Sequence, residues 1–298
     1  MVEFIDQYRD QYGVEPISEE LPIAPSTYRR YKALEREPEK CSSRVLRDEQ
    51  LSSEIKRVWK ESDRNYRARK VYKQLNRETI PIARCAVERL MKKLGLEEVR
   101  RGKRCITTIP SDLAHKPLDL VNREFTADRP NQLWVADITY VATWSGFVYV
   151  AFVIDVFSGY VIGWRVLKHM RTDLILDALE QAIWQRGKPK DVIHHSDRGS
   201  QYLSIRYANR LAEAGFNASV SSVGDSYDNA LVETINGLYK TEVIHKNGPW
   251  CGLDDIEWAT LTWVEWFNNR RLLRPIGHRS PAEYEIMYYQ QTESSNVA

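Results

Sequence analysis

The stretch "QLWVADITYVAT" (132–143), followed by "GFVYVAFVIDVFS" (146–158) and "YVIGWRVLKH" (160–169), decides the fold. β-Branched and aromatic residues dominate all three runs, and Gly146 and Ser158-Gly159 punctuate them, which predicts three strands in an antiparallel meander. Downstream, "RTDLILDALEQAIWQRG" (171–187) has the apolar period of a helix, with Thr172 as its cap and Gly187 as its stop. A short apolar strand "DVIHHS" (191–196), a helix around "SIRYANRLAEAG" (204–215), a strand "NASVSS" (217–222) and a helix from Asp228 follow. A meander followed by alternating helix and strand predicts an α/β fold: a mixed sheet with helices packed on it.

Upstream of this core the pattern is helical. "EFIDQYRDQYG" (3–13), "PISEEL" (16–21) and "TYRRYKAL" (27–34), the last capped by Ser26 after the turn "PIAP", read as helix-turn-helix grammar. After the polar stretch "EREPEKCSSR" (35–44) come "LRDEQLSSEIKRVWKES" (46–62), "RARKVYKQLNRE" (67–78) and "ARCAVERLMKKLG" (83–95), three more helices with apolar stripes. Beyond the core, Trp258, Trp263 and Trp266 lie on a helix at spacings that predict core packing, and the tail after about Tyr289 reads as loose.

The formal charge of +2 is unevenly spread. Residues 56–104 hold 17 Lys and Arg against 6 Asp and Glu, whereas residues 131–240 hold 10 against 11. A segment of net +11 beside a near-neutral domain suits a DNA-binding arm on an enzyme, because neutralised phosphates release counterions. The four cysteines form no C-x-x-C pair, and the six histidines lack cysteine partners at zinc spacing, so neither a disulfide framework nor a zinc site is expected. No apolar run is long enough to span a bilayer, and the N-terminus lacks the layout of a signal peptide, which reads as a soluble, intracellular chain.

Three carboxylates stand where chemistry would need them. Asp137 lies inside the first strand among Trp134, Val135 and Ile138, where an uncompensated carboxylate is costly. Asp197 ends the strand "VIHHS" at the turn "DRGSQY", on the sheet's carboxyl edge. Glu233 follows one turn into the helix "DNALVETINGLYK" (228–240). Carboxylates from separate elements suit magnesium, which takes a few oxygen ligands and keeps positions for water and phosphate. On position alone Asp155 and Asp225 compete with them, and each of the three has a structural explanation as well: a pair with a buried arginine, a turn residue, a solvated helix residue. Around them, Gly199 allows a tight turn, and Ser200, Gln201 and Tyr202 offer donors to a phosphate or base. His194 and His195 precede Asp197 on a strand, so one of them should face inward as a packed core histidine.

The segments "WVADITYV" (134–141), "HHSDRGSQY" (194–202) and "DNALVETINGLYK" (228–240), with 35 residues between Asp197 and Glu233, resemble the three catalytic motifs of OrfB-type transposases of bacterial insertion sequences in the IS-three family. Residues 46–96 resemble that family's second helix-turn-helix, and "FNNRRLLRPIGHRSPAEYE" (267–285) its C-terminal signature. Two departures, Arg67 in "NYRARKV" and the form "RRLLRPIGH", leave the triad intact.

The resemblance implies a retroviral-integrase-like, ribonuclease-H-like core. It makes Asp137, Asp197 and Glu233 the catalytic metal ligands, holding two Mg2+ ions for which Mn2+ substitutes. The expected reaction is hydrolysis of a phosphodiester at the element's ends followed by strand transfer by the freed 3′-hydroxyl. Lys240, Arg67, Arg69, Lys70, Lys73, Gln201 and Asn229 are the expected DNA contacts; Lys240, two helical turns beyond Glu233, should share its face. The implied partners are the terminal inverted repeats and target DNA, further copies of the chain in a dimer or higher oligomer on paired ends, and the upstream reading-frame product, separate or fused. The implied location is the bacterial cytoplasm, at the nucleoid. The expected organisation is an N-terminal helix-turn-helix (1–40), a second basic helix-turn-helix module (41–100), a connector (101–130), the catalytic core (131–245) and a C-terminal helical extension with tail (246–298). The rival readings are a non-joining metal-dependent nuclease and a catalytically decayed DNA-binding regulator on the same fold.

Overall fold

The computed structural model describes residues 1–37, 42–96, 125–197, 199, 201–220 and 230–297. Three helices, α1 (Val2–Tyr12), α2 (Val14–Glu20) and α3 (Pro25–Arg36), close on a small core of Ile5, Ile17 and Tyr28. Helix α3 starts at Pro25 with Ala24 as its N-cap, two residues earlier than a Ser26 cap predicts. Proline at the first helical position presets φ and has no N–H to satisfy.

Helices α4 (Ser43–Glu61), α5 (Ala68–Arg77) and α6 (Arg84–Lys93) form a second unit around Leu51, Ile55, Val58, Val71, Leu75, Val87 and Leu90. Its core is completed from the other end of the chain, by buried Leu272 and partly buried Trp266. The Tyr66 hydroxyl donates to the Arg270 carbonyl (3.0 Å) and accepts the Leu272 N–H (2.9 Å). Arg77 donates to the His278 carbonyl (3.0 Å) and pairs with Glu283 (2.5 Å), and Lys246 pairs with Asp63 (2.6 Å).

The core is a five-stranded sheet in the order β3-β2-β1-β4-β5, built from β1 (Leu133–Thr143), β2 (Gly146–Asp155), β3 (Tyr160–Leu167), β4 (Ile193–Ser196) and β5 (Asn217–Val220). The first three pair antiparallel, and β1/β4 and β4/β5 pair parallel. This is the ribonuclease-H-like arrangement expected from the sequence. Helices cover both faces, so the strands are apolar on both sides. Trp134, Ala136 and Ile138 of β1 pack under α7 (Thr172–Gln185) and α8 (Ile205–Ala214). Val135 and Val141 face α9 (Ala230–Tyr239) and α11 (Leu253–Asn269). Gly163 permits the approach of α7 to β3, since a Cβ there would lie 2.1 Å from the Ala178 carbonyl oxygen.

Helix α7 begins at Thr172 itself, with Arg171 as N-cap and no side-chain cap bond, so the expected Thr172 cap is not formed. Helix α9 runs into a π-helical turn (Lys240–Ile244) and the short α10 (His245–Asn247). The expected loose tail is instead α12 (Pro281–Val297): no proline or glycine interrupts it, and Thr292, Ser294 and Ser295 bond back to carbonyls one turn earlier. Trp263 is buried and Trp266 half-buried as expected, but Trp258 is exposed, on the solvent side of α11. Among the described residues no helix is long and apolar enough to cross a membrane.

Candidate active site

Strand register brings the two aspartates together. In the parallel β1/β4 pair Ala136 lies beside Ser196, so the next residues, Asp137 and Asp197, emerge on adjacent strands about 4.8 Å apart. Asp137 Oδ1 accepts its neighbour's N–H from Ile138 (2.8 Å), and Oδ2 accepts from Asn236 Nδ2 on α9 (2.8 Å). Asp197 Oδ1 accepts the Gly199 N–H (2.9 Å). That turn is tight: a Cβ on Gly199 would lie 3.0 Å from both Asp197 Oδ1 and Gln201 Oε1.

Burial pushes the Asp137 carboxyl up to about 7, and the nearby charges of Asp197 and Glu233 push the same way, against the bonds from Ile138 and Asn236. Burial also raises Asp197, opposed by the Gly199 N–H. Glu233 lies on the exposed side of α9, one turn before Asn236. Its charge reaches Asp137, yet among the described residues no set of three or more His, Cys, Asp or Glu side chains is gathered closely enough to hold a metal ion. The site is thus two facing aspartates with the glutamate at their rim. Two buried polar atoms nearby have no hydrogen-bond partner, the Tyr202 hydroxyl and Asn236 Oδ1. The Tyr202 hydroxyl is held well above its ordinary range by burial and then by the Asp197 and Asp137 charges.

Asn236 was not singled out from the sequence as part of the site. Its position three residues after Glu233, and so on the same helical face, is the signal that points to it. Asp155 is removed from the competition for the site: it is fully buried, accepts N–H bonds from Asn131 (2.8 Å) and Phe157 (3.1 Å), and faces Arg186 at 3.6 Å. Asp225 and Asn229 lie outside the described residues. His194 and His195 are both buried, since the sheet is covered on both faces. His194 contacts the Tyr207 hydroxyl (3.1 Å) and burial lowers it to about 3, so it remains a neutral core residue, while His195 contacts Ser219 Oγ (2.9 Å).

Lys240 opens the π-helical turn that continues α9 beyond Glu233 and places its ammonium 4.8 Å from the ring centre of Tyr140 on β1. Gln201 donates to the Met170 carbonyl (3.1 Å). On the second helical unit Arg67, Arg69 and Lys73 are exposed. Lys70 is half-buried over the Tyr66 ring, 5.1 Å from its centre, and burial followed by the Arg271 charge lowers it to about 7.

A ribonuclease-H-like sheet with one acidic side chain in the middle of β1 and another just beyond the end of the adjacent β4 defines the class of polynucleotidyl transferases. Residues 127–226 and 214–281 match families described as Integrase core domain, and residues 46–104 match the HTH-like domain. The transposase for insertion sequence element IS629 of Shigella sonnei is 54% identical over 298 residues, covering 100% of both chains. The transposase for IS3411 of Escherichia coli is 53% identical over 189 residues, covering 63% of this chain and 78% of that one. Transposase InsF for IS3A of Escherichia coli K12 is 31% identical over 244 residues, covering 81% of this chain and 83% of that one. The HTLV-2 integrase catalytic core domain, solved in complex with magnesium, aligns with a TM-score of 0.43 and 21% identity over 53% of this chain and 98% of that one. The chain belongs to the insertion-sequence transposases with an integrase core and is a DNA transposase.

Proposed function

We propose that Asp137, Asp197 and Glu233 hold divalent magnesium, two ions in one site and replaceable by manganese, for cutting at element ends and for strand transfer. The observation that supports this most is the charge imbalance: two adjacent, half-buried carboxylates, both raised by desolvation and one also by the other's charge, with no cation paired to them among the described residues. An all-oxygen donor set of this kind fits a hard cation. When bound, the metal activates a water or 3′-hydroxyl and stabilises charge on the phosphorane-like transition state.

The chain's own residues do the rest. Asn236 holds Asp137 Oδ2 through its amide and fixes the carboxylate's orientation. The Gly199 N–H does the same for Asp197. The Tyr202 hydroxyl, buried and unpaired, is a donor available to a scissile phosphate oxygen. Glu233, at the rim, would supply the third carboxylate to the ion. Lys240 holds the DNA end, and Arg67, Arg69 and Lys73, with Gln201 nearer the carboxylates, grip DNA, to which Asn229 is a further contact; Lys70, packed against Tyr66, serves the contact between units. Paired ends are brought together by a dimer or larger assembly, and the upstream reading-frame product joins it, fused or separate.

The test is to incubate the chain with labelled element ends and magnesium and resolve the products. Joined strands are expected. Cleavage with no joining would make it a nuclease, and neither product a DNA-binding regulator.

A further inference from the structure

The β1–β2 hairpin carries three large aromatic side chains on its surface: Trp144 is 76% exposed, Phe147 56% and Tyr140 41%. Residues 138–154 contain no charged side chain. An exposed, uncharged aromatic surface of this kind is a poor partner for phosphates and a good one for π-faces. It is also rigidly held. The Trp144 N–H donates to the Trp250 carbonyl (3.0 Å), the Ser145 N–H to the Cys251 carbonyl (3.3 Å), and Thr143 Oγ1 to the Gly146 carbonyl (2.7 Å). Tyr140 and Phe147 meet edge to face, with ring centres 5.6 Å apart.

The position matters as much as the composition. Tyr140 stands three residues beyond Asp137 on the same strand, about 10 Å along it. Lys240, on the helix of Glu233, covers its ring. From Tyr140 to Trp144 is about 13 Å of strand, which spans about four stacked nucleotides at roughly 3.4 Å each. A cation at the catalytic end and aromatic rings running away from it have the layout of a single-strand track, one charge for the backbone and π-faces for the bases.

We propose that Tyr140, Phe147 and Trp144 form a stacking track for unpaired nucleobases of the DNA strand that enters the carboxylate site. The inference rests on the reading of Asp137, Asp197 and Glu233 as that site. DNA engaged there is opened at its end, and its bases leave the duplex for the hairpin.

The test uses the full chain in chelator, with three fluorescein-labelled probes of equal length: a dT12 strand, the same strand with abasic positions in place of bases, and a blunt duplex. Fluorescence anisotropy should show the wild type preferring dT12 over the abasic strand. Joint substitution Tyr140→Ala and Trp144→Ala should weaken dT12 binding about tenfold or more, the scale of losing one or two base stacks. Abasic-strand and duplex binding should move less than about twofold by the same reasoning. Tyr140→Phe with Trp144→Phe, which keeps the rings, should retain dT12 binding, and thermal melting should show all variants folded, as expected for exposed positions.

Equal wild-type affinity for the dT12 and abasic strands would overturn the proposal. So would unchanged dT12 binding by the double alanine variant, or a fall in the sedimenting mass of the DNA-free chain, which would make the hairpin a protein contact. Asp137→Asn, which tests the metal site, should bind dT12 like the wild type, so the two readings fail separately.

Discussion

Asp137 and Asp155 are aspartates on neighbouring strands of one sheet but on opposite faces, Asp137 half-buried beneath α9 and Asp155 fully buried beside Arg186 at the end of α7, and their surroundings are opposite. Asp155 accepts two backbone N–H bonds and faces Arg186, which in turn grips Glu285 of α12 through two bonds of 2.5 and 2.6 Å while Ser158 donates to the same carboxylate. Asp137 has Asn236 and one N–H bond, and the charges of two more carboxylates, Asp197 and Glu233, act on it. Burial raises both, Asp155 to about 6 and Asp137 to about 7. Among the described residues a cation faces Asp155 and none pairs with Asp137. A buried acid compensated from within the chain ties elements together, and one left among other acids is built for a charge that arrives from outside.

Substitutions at the two sites should therefore move different observables. Asp137→Asn should lower strand joining at least about a thousandfold, because several kcal/mol of metal-mediated charge stabilisation are lost. Its melting temperature in chelator should stay level or rise, since a repelling charge is gone. A marked fall in melting temperature with joining retained would place Asp137 with Asp155 as a structural acid. Arg186→Met should do the reverse: a loss of about 3–5 kcal/mol of stability by denaturant titration, the usual cost of stranding a buried carboxylate, with joining retained by the fraction that stays folded.

Asn236→Ala sharpens the contrast at the catalytic side. It removes an outer partner of a proposed ligand, and joining should fall about 10- to 100-fold with end affinity in a gel shift nearly unchanged. Equal joining by this variant would show that Asp137 needs no orientation from α9.

The smallest effect concerns pH. The folded Asp137 holds its proton up to about 7 while an unfolded aspartate releases it near 3.8, so between these values the native state binds more protons than the unfolded one. Stability in chelator should thus fall as pH rises from about 4 to about 7. Asp155 contributes in the same direction, so the wild-type curve is compared with that of Asp137→Asn, which should be flatter. In magnesium the slope should diminish, because the ion replaces the proton. Parallel curves for the two proteins would deny Asp137 its raised pKa.

The strands were legible because alternation and glycine-marked turns are local. The proximity of Asp137 and Asp197 was legible only through resemblance, since what creates it is the parallel register of β1 and β4, a pairing across half the domain. Asn236 and the Asp155–Arg186–Glu285 cluster depend on contacts between elements distant in sequence, which no local period encodes. Lys240 illustrates the limit well. Its helical face follows from counting residues, yet the ring of Tyr140 that it covers comes from another element altogether. Trp258 misled for a different reason: it stands five residues before Trp263, about 140° round the helix, and so falls outside the face that Trp263 and Trp266 share.

Leu272 and Trp266 lie inside the core of the helical unit formed by α4, α5 and α6, while Tyr66 of that unit reads the backbone at Arg270 and Leu272. For anyone building chimeras between related elements, the exchangeable cassette is consequently discontinuous. Swapping residues 42–96 alone would fit one element's recognition helices onto another's foundation. A transplant that also carries the 266–272 segment keeps the joint intact.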